Sequence, residues 1–295
     1  MELKRHPLVF GLLLFAGAAL VFFVVVFAQA RFSGGSALFD QKIALVKIEG
    51  VILDAREAID EIRKFGASPS VRAIVLRIDS PGGGVVPSQE IYEEVRRLRR
   101  ERNKTVVTSM GSVAASGGYY IAAATERIVA NPGTLTGSIG VIMESANVRG
   151  LMDKIGVESV VIKSGRNKDI GSPFREMQPE ERALLQHVLD DVHAQFITAV
   201  ADGRKLSESQ VRELADGRIF TGRQAQEAGL VDELGNLQDT IQIAADMVGI
   251  RGEPRVIETH KAFSLVDLVR NQFAGILPAA KLPEFGISLK YLMTF

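Results

Sequence analysis

The chain has 295 residues and is 46% hydrophobic, enough to bury one sizeable core and to supply a membrane segment as well. Its 35 Lys and Arg residues balance 35 Asp and Glu residues, so no global charge favours nucleic acid or an anionic surface as a partner. The lack of cysteine excludes disulfides and thiol catalysis and is compatible with any compartment.

The N-terminal region predicts a membrane anchor. From Leu8 to Ala28 the residues are uncharged and mostly apolar, a run long enough to cross roughly 30 Å of hydrocarbon as a helix. Lys4 and Arg5 precede this run. By the positive-inside rule we expect a single-pass protein of the cell membrane, with the N-terminus in the cytoplasm and the rest on the outer, periplasmic or extracellular side.

A cleaved signal peptide is the alternative, because Ala28-Gln29-Ala30 is an A-x-A pattern. The apolar run exceeds the roughly 7–15 residues usual in such peptides, which favours an uncleaved signal anchor. The sequence then divides into five predicted segments: a cytoplasmic N-terminus (1–7), a transmembrane signal anchor (8–28), a linker (29–40), a folded domain (41–250) and a C-terminal extension (251–295).

Beyond residue 41, short apolar strands alternate with helices. This alternation predicts a layered α/β domain with at least partly parallel strand pairing. The predicted strands are IALVKIEG, AIVLRID, TVVTSM, RIVAN, SIGVIM and SVVIKS.

A glycine-rich turn follows the buried strand Val71 to Asp79. In the sequence Ser80 to Gly84, SPGGG, glycines can direct backbone N–H groups outward without steric cost, as an oxyanion hole requires. A helix is predicted from about Pro87. An ordinary β-to-α turn is the alternative, and a phosphate cradle is disfavoured because the lysine and spacing of a P-loop are missing.

A second small-residue segment, Gly111 to Tyr120 (GSVAASGGYY), places Ser116 between a strand at Thr105 to Met110 and a helix start. A serine at such a turn exposes its hydroxyl at the positive end of a helix dipole, and small neighbours let a substrate backbone approach. Ala114 departs from the G-x-S-x-G pattern, so the nucleophile motif is only partly met. A tight turn with a bystander serine is the alternative.

No histidine lies in a glycine-rich or strand-end segment. His187 and His193 fall six residues apart on a helix predicted from Pro179 to about Arg204, which makes them a poor metal pair. We expect no metal and no cofactor.

Lysine is the remaining base for Ser116, since a lysine whose surroundings keep its amine neutral can accept a serine proton. Lys163 and Lys168 both follow the predicted strand SVVIKS. Chemistry alone leaves both candidates open.

Together these segments resemble the signal peptide peptidase A family in its short single-repeat form, over roughly Ile43 to Gly249. The resemblance rests on four motifs in order: DSPGGG at Asp79 to Gly84, VAASGGYYIA at Val113 to Ala122, NPGTLTGSIGVI at Asn131 to Ile142, and KSGRNKDIGSPFREM at Lys163 to Met177.

The resemblance implies Ser116 as nucleophile, Lys168 as general base and Ser138 as the hydroxyl that orients the lysine. It implies an oxyanion hole made by the amides of Gly83 and Gly117. It further implies a crotonase/Clp-like spiral of ββα units, and a homo-oligomer in which the lysine segment reaches the serine of a neighbouring subunit. The expected function is a serine endopeptidase that degrades cleaved signal peptides at the membrane through an acyl-enzyme.

Two other functions remain as alternatives: a crotonase-type acyl-CoA enzyme, which would hold an enolate on the same amides, and an inactive membrane scaffold. The stretch after Gly203 predicts helices that pack on the core. The extension from Arg251 to Phe295 is compatible with an added helix, an oligomer contact or a mobile tail.

Overall fold

The computed structural model describes residues 15–24, 41–259 and 289–293. The predicted anchor, Leu8 to Ala28, lies partly outside these ranges, and its described part, 15–24, is a helix (α1). No helix within the described ranges is long and apolar enough to cross a membrane. The predicted linker at 29–40 lies outside them.

The strands are β1 (Lys42–Glu49), β2 (Val71–Ser80), β3 (Gly82–Gly84), β4 (Thr105–Ala115), β5 (Arg127–Ala130), β6 (Leu135–Gly137), β7 (Ile142–Met143), β8 (Ile219–Thr221), β9 (Glu233–Leu234), β10 (Arg255–Glu258) and β11 (Leu289–Leu292). The helices after α1 are α2 (Arg56–Ala67), α3 (Val85–Arg102), α4 (Gly117–Ala122), α5 (Arg149–Ile155), α6 (Pro179–Arg204), α7 (Glu208–Leu214), α8 (Gly222–Glu227) and α9 (Leu237–Met247).

The main sheet has a parallel spine in the order β10-β1-β2-β4-β5-β9. Strand β6 pairs with the far end of β4, and β8 pairs antiparallel with β6. Crossover helices cover both faces, as parallel sheets require. A large apolar cluster includes residues of α3, α4 and α6, and a smaller one on the other side includes residues of α9. The prediction of a mixed α/β fold with parallel pairing is confirmed.

Strand β1 shows how the sequence builds both layers. Ile43 and Leu45 belong to the smaller cluster, whereas the alternate residues Ala44, Val46 and Ile48 belong to the larger one. Because both faces of the strand are buried, its sequence is a nearly continuous apolar run.

The longest helix, α6, begins and ends where the sequence predicted, at Pro179 and Arg204. Gln178 and Glu181 form a capping box at its start. Lys205 adopts a φ of 55° at its end, the left-handed conformation that commonly stops helices.

The C-terminal extension supplies one strand to each of two sheets. Strand β10 adds a parallel strand beside β1. Strand β11 is the centre of a small antiparallel sheet in the order β3-β11-β7. Strand β11 is therefore built into the region around the glycine-rich turn.

One predicted strand is missing and several element boundaries differ from the sequence predictions. The prediction of a strand at SVVIKS was wrong, since Val160 and Ile162 are 83% and 97% exposed in irregular chain. An apolar β-branched run favours a strand, but a strand forms only where a neighbour supplies hydrogen bonds. The predicted strand SIGVIM shortens to β7, and α3 begins at Val85, before Pro87.

Candidate active site

In the turn after β2, the backbone amide of Gly83 points away from the neighbouring chain at Ile52. Gly82 has a φ of 101°, a conformation that L side chains rarely adopt, and its amide donates to the hydroxyl of Ser80 at 3.1 Å. Ile52 donates to the carbonyl of Gly82 at 2.9 Å and accepts from the amide of Gly84 at 2.8 Å. Since hydrogen-bonding groups alternate sides along a strand, the amide of Gly83 points away from Ile52.

Ser116 is the single residue between β4 and α4. Its backbone has φ 51° and ψ −114°, a sparsely populated conformation that costs about 1–3 kcal/mol and needs support from its surroundings. That support comes from both sides: its amide donates to Gly137 at 2.8 Å, and its carbonyl accepts from Tyr120 at 2.8 Å. The prediction of an exposed hydroxyl was wrong, because the residue is 1% exposed in the core of the serine turn. The hydroxyl has no hydrogen-bond partner among the described residues.

Gly117 begins α4, so its amide is one of the helix-start donors without an intrahelical partner. A Cβ placed on Gly117 would lie 2.5 Å from Oγ of Ser88 and 3.3 Å from the amide nitrogen of Gly83. The structure thus brings Gly83 and Gly117 side by side next to Ser116. Their role as an oxyanion hole stays a prediction.

Ser138 follows β6 directly, beside the Gly137 carbonyl that accepts from Ser116. Its φ is 49°, and its amide donates to the carbonyl of Arg218 at 2.9 Å. Ser138 lines a cavity of about 430 Å³, here called the Ser138 cavity, whose described lining includes the carboxylates of Asp190 and Asp216 and no lysine or arginine.

His193 also lines the Ser138 cavity, and its Nε2 is buried without a partner among the described residues. Sequence reasoning treated His193 only as one of a poor metal pair, because it lies far from the glycine-rich segments along the chain. His187 is exposed on the same helix.

Lys168 is not brought to Ser116. It is exposed in a series of turns, where its amide donates to Gly165 at 3.1 Å, and none of the hydrogen bonds within the described chain joins its side chain to Ser116. Lys163 instead donates to Oδ1 of Asp169 at 2.5 Å. A single chain therefore supplies the serine and the amides of the predicted site in one place and the lysine in another.

An ion-pair network holds the segment that carries Lys168. Arg175 donates to both carboxylate oxygens of Asp169, at 2.8 and 2.9 Å, and to both of Glu181, at 2.7 and 2.5 Å. These bonds from Arg175, with a further one from Lys163, hold the pKa of the Asp169 carboxyl well below its usual range. Arg175 likewise lowers the pKa of Glu181 to about 2. The network fastens the turns at 165–171 to the first turn of α6.

Strand β11 lies against this site, and sequence reasoning missed it. Its residues pair with Gly82–Gly84 on one side and Ile142–Met143 on the other. The ring of Tyr291 is completely buried. The alternation in ISLKYL was the signal available for a strand, but no local pattern names the partner with which a strand pairs.

A model of peptidase family S49 matches residues 98–251, a range that includes Ser116, Ser138 and Lys168 but not Gly83. The chain belongs to peptidase family S49.

Three relatives illustrate the S49 match. A provisionally named protease of Synechocystis sp. is 46% identical over 236 residues, 80% of this chain and 84% of its own length. A protein of Enterococcus faecium, provisionally named signal peptide peptidase SppA, is 36% identical over 68% of this chain and 62% of its own length. The chloroplastic serine protease SPPA of Arabidopsis thaliana is 34% identical over 80% of this S49 chain and 32% of its own length.

The S49 chain thus spans most of the Synechocystis relative but less than two thirds of the other two. The family resemblance predicted from the four motifs is confirmed.

Proposed function

We propose that the chain is a membrane-anchored serine endopeptidase that cleaves peptides through a Ser116–Lys168 dyad and an acyl-enzyme. The observation that carries the proposal is the buried hydroxyl of Ser116, held in a costly backbone conformation without a hydrogen-bond partner, beside the amides of Gly83 and Gly117. A conformation of this kind persists only where the surroundings enforce it, and such sites are where nucleophiles are found.

The edge of β3 supports a peptide as the substrate. It already accepts an extended antiparallel chain, β11, through backbone hydrogen bonds. Backbone pairing of this kind binds peptides largely irrespective of sequence, and side-chain pockets then add specificity. The acyl-CoA alternative gains no comparable support from the described residues.

The lysine is proposed to act across a subunit interface. Lys168 is exposed, while Ser138 beside Ser116 lines a cavity whose described lining includes Asp190 and Asp216 and no lysine or arginine. Arg218, outside that lining, already pairs with Asp216 at 2.6 Å. Val160 and Ile162, which precede the lysine segment, are exposed and apolar. Such surfaces favour burial against another subunit. The proposed assembly is a homo-oligomer of crotonase/Clp-like units, in which Ser138 orients the partner's lysine.

Signal peptides at the outer face of the cell membrane are the proposed substrates. The uncharged run from Leu8 to Ala28 would tether the site where such peptides are released. The name of the Enterococcus faecium relative supports the same substrate class. Protease added to intact cells should reach the domain after Asp40, and the mature chain should retain Leu8. A mature chain that begins at Arg31 would replace the anchor by a cleaved signal peptide.

Covalent labelling with a serine-reactive fluorophosphonate tests the nucleophile. The purified full chain should be labelled at Ser116, and Ser116→Ala should abolish labelling. Ser138→Ala is the matched control, because it removes a nearby hydroxyl and should leave some labelling of Ser116. Labelling at another serine in the wild-type chain would contradict the proposal.

A further inference from the structure

Positive side chains gather at the edge of the main sheet where its parallel strands begin. Strands β1 and β10 start at Lys42 and Arg255, which lie opposite each other in the ladder. Arg72 is the second residue of β2, and Lys104 immediately precedes β4. Because neighbouring parallel strands start at the same edge, these four residues lie at one end of the domain.

The opposite edge of the same strands carries negative side chains. Glu49 and Asp79 lie opposite each other near the carboxyl ends of β1 and β2, and β10 ends at Glu258. The formal net charge of the whole chain is zero. The positive end of the domain therefore comes from the separation of charge along the strands and not from an overall excess of cations.

The last turn of α3 adds two arginines to the positive end. Arg100 and Arg102 are exposed, as is Arg72, and none of the ion pairs within the described ranges includes any of them. Glu101, between the two arginines of α3, is also exposed and supplies one negative charge. The turn and the start of β2 together keep an excess of positive charge.

Lys104 shows that these charges act on one another. Its ammonium donates to the carbonyl of Ser68 at 2.9 Å and to that of Val71, which fixes it beside the start of β2. Burial, together with the positive charges of Arg72 and Arg102, lowers the pKa of Lys104. Like charges held close together repel, and an anion bound between them removes that cost. We call four of these residues the basic edge: Arg72, Arg100, Arg102 and Lys104.

The predicted membrane anchor joins the domain at this same end. Lys42 begins β1, and its amide donates to the carbonyl of Ser70, just before β2, at 2.8 Å. Only residues 29–40 separate the predicted anchor from the described domain. Even a fully extended segment of this length spans no more than about 40 Å, because each residue adds at most about 3.6 Å. The anchor would therefore hold the basic edge close to the membrane surface.

We propose that the basic edge docks on the phosphate headgroups of anionic lipids in the membrane that holds the anchor. The docking rests on the membrane anchor of the proposed function and adds an orientation to it. Clusters of lysine and arginine beside a membrane anchor bind anionic lipids, and each cation near the surface strengthens binding about 5-fold.

Docking in this orientation holds the serine away from the bilayer. Lys104 precedes the first residue of β4, and Ser116 follows the last. The 11 residues of β4 rise about 3.3 Å each, so Ser116 would stand roughly 35 Å from the headgroups. A peptide must then leave the bilayer to be cleaved. The orientation selects released peptides over segments still inserted in the membrane.

Short-range quenching by lipids that carry a nitroxide on the headgroup shows which end of the domain faces the bilayer. The chain has no cysteine, so one introduced cysteine places a fluorophore at a known position. The full chain is reconstituted in nanodiscs of phosphatidylcholine, alone or mixed with phosphatidylglycerol. A fluorophore on Ala67→Cys, exposed at the end of α2 next to Ser68, should be quenched in the anionic discs only. A fluorophore on Leu53→Cys, 77% exposed at the opposite end, should stay unquenched in both.

Neutral variants test the charges themselves. A triple variant with Arg72→Gln, Arg100→Gln and Arg102→Gln should lower the ratio of docked to undocked protein about 100-fold and abolish quenching at position 67. Salt at about 0.5 M should release the wild-type domain in the same way, because it screens the surface charge of the lipids.

The matched control removes three exposed arginines elsewhere on the domain and should keep the quenching: Arg56→Gln, Arg149→Gln and Arg212→Gln. Incorporation in the discs without quenching at position 67, or quenching that does not depend on lipid charge, would overturn the docking and leave the anchored peptidase standing. A changed oligomeric state of the Arg72, Arg100 and Arg102 variant with unchanged quenching would overturn it too, and would assign the basic edge to the acidic edge of a second copy. A full chain that does not enter the discs would overturn the proposed anchor, and the docking with it.

Discussion

The region around Ser116 and the region around Lys168 are built in opposite ways. The serine region comprises β3, Ser116, Gly117 and Ser138; it is buried, and backbone hydrogen bonds to the core fix its conformation. The lysine region, residues 157–177, is mostly exposed and is held by side-chain ion pairs to the start of α6.

One chain therefore preorganises the serine half of the proposed site and leaves the lysine half exposed to solvent. Amides aimed at developing charge must be rigid to be effective, which a buried core provides. The lysine region has internal order and is tied to the start of α6, and none of the hydrogen bonds within the described chain joins it to Ser116.

The largest effect is expected from removing either member of the dyad. Ser116→Ala and Lys168→Ala should each lower kcat/KM for peptide hydrolysis by at least about 10³-fold, and the double variant should lose little more, since both groups act as a unit. Steady-state kinetics on a peptide substrate measures this. His193→Ala is the matched control and should keep most activity, and Lys163→Ala, which removes one bond to Asp169, should keep far more activity than Lys168→Ala. An inactive Lys163→Ala beside an active Lys168→Ala would assign the base to Lys163.

Mixing subunits tests whether the two regions meet across an interface. Ser116→Ala and Lys168→Ala proteins, inactive alone, should regain activity when their subunits exchange. With random mixing of equal amounts, about a quarter of shared sites pair an intact serine with an intact lysine. Subunit exchange is followed by fluorescence energy transfer between labelled subunits. Demonstrated exchange without recovery would mean that both groups come from one chain.

Loosening the ion-pair network should affect the lysine region alone. Arg175→Met removes the bonds to Asp169 and Glu181, and a misplaced base should cost about 10–100-fold in kcat. The melting temperature should change by only a few degrees, because the core is untouched. Arg56→Met, which breaks an exposed pair with Asp54, is the control and should leave kcat unchanged. Equal losses in both variants would contradict a positioning role for Arg175.

Low pH should reduce the hydrogen-exchange protection of the lysine region before that of the serine region. This effect is smaller than the losses of activity above. The folded-state pKa values of Asp169 and Glu181 are depressed, so their contribution is present above the unfolded values near 4 and is lost as pH falls through the folded ones. Hydrogen exchange should therefore show residues 163–177 losing protection between about pH 4 and pH 2, before β2 and β4 do. Arg175→Met should abolish this early loss. Simultaneous loss in both regions would contradict the comparison.

Local patterns in the sequence predicted the elements that carry the serine region. The apolar run at Thr105 to Met110 became β4, and the structure extends it to Ala115 because β6 pairs there. Helix α6 has the predicted ends because its caps are local signals. The glycines of SPGGG are required by positive φ and close packing, which composition already indicates.

Contacts between distant segments could not be predicted in the same way. The run SVVIKS has strand composition but no partner in the described chain, so the prediction of a strand there was wrong. Tyr291 pairs with Gly83, although more than two hundred residues separate them in the sequence. No pattern in the residues around either position predicts this pairing.

The sequence by itself determined the α/β class, the glycine-rich turn, the serine turn and the S49 family, because periodicity, composition and motif spacing are properties of neighbouring residues. Only the tertiary structure decided that Gly83 and Gly117 lie side by side, that Lys168 stays exposed, and that β11 fills the groove beside Ser116. Those outcomes depend on which strand edges pair and which side chains are buried. Both depend on contacts between residues that are distant in the sequence, so they follow only from the packing of the whole chain.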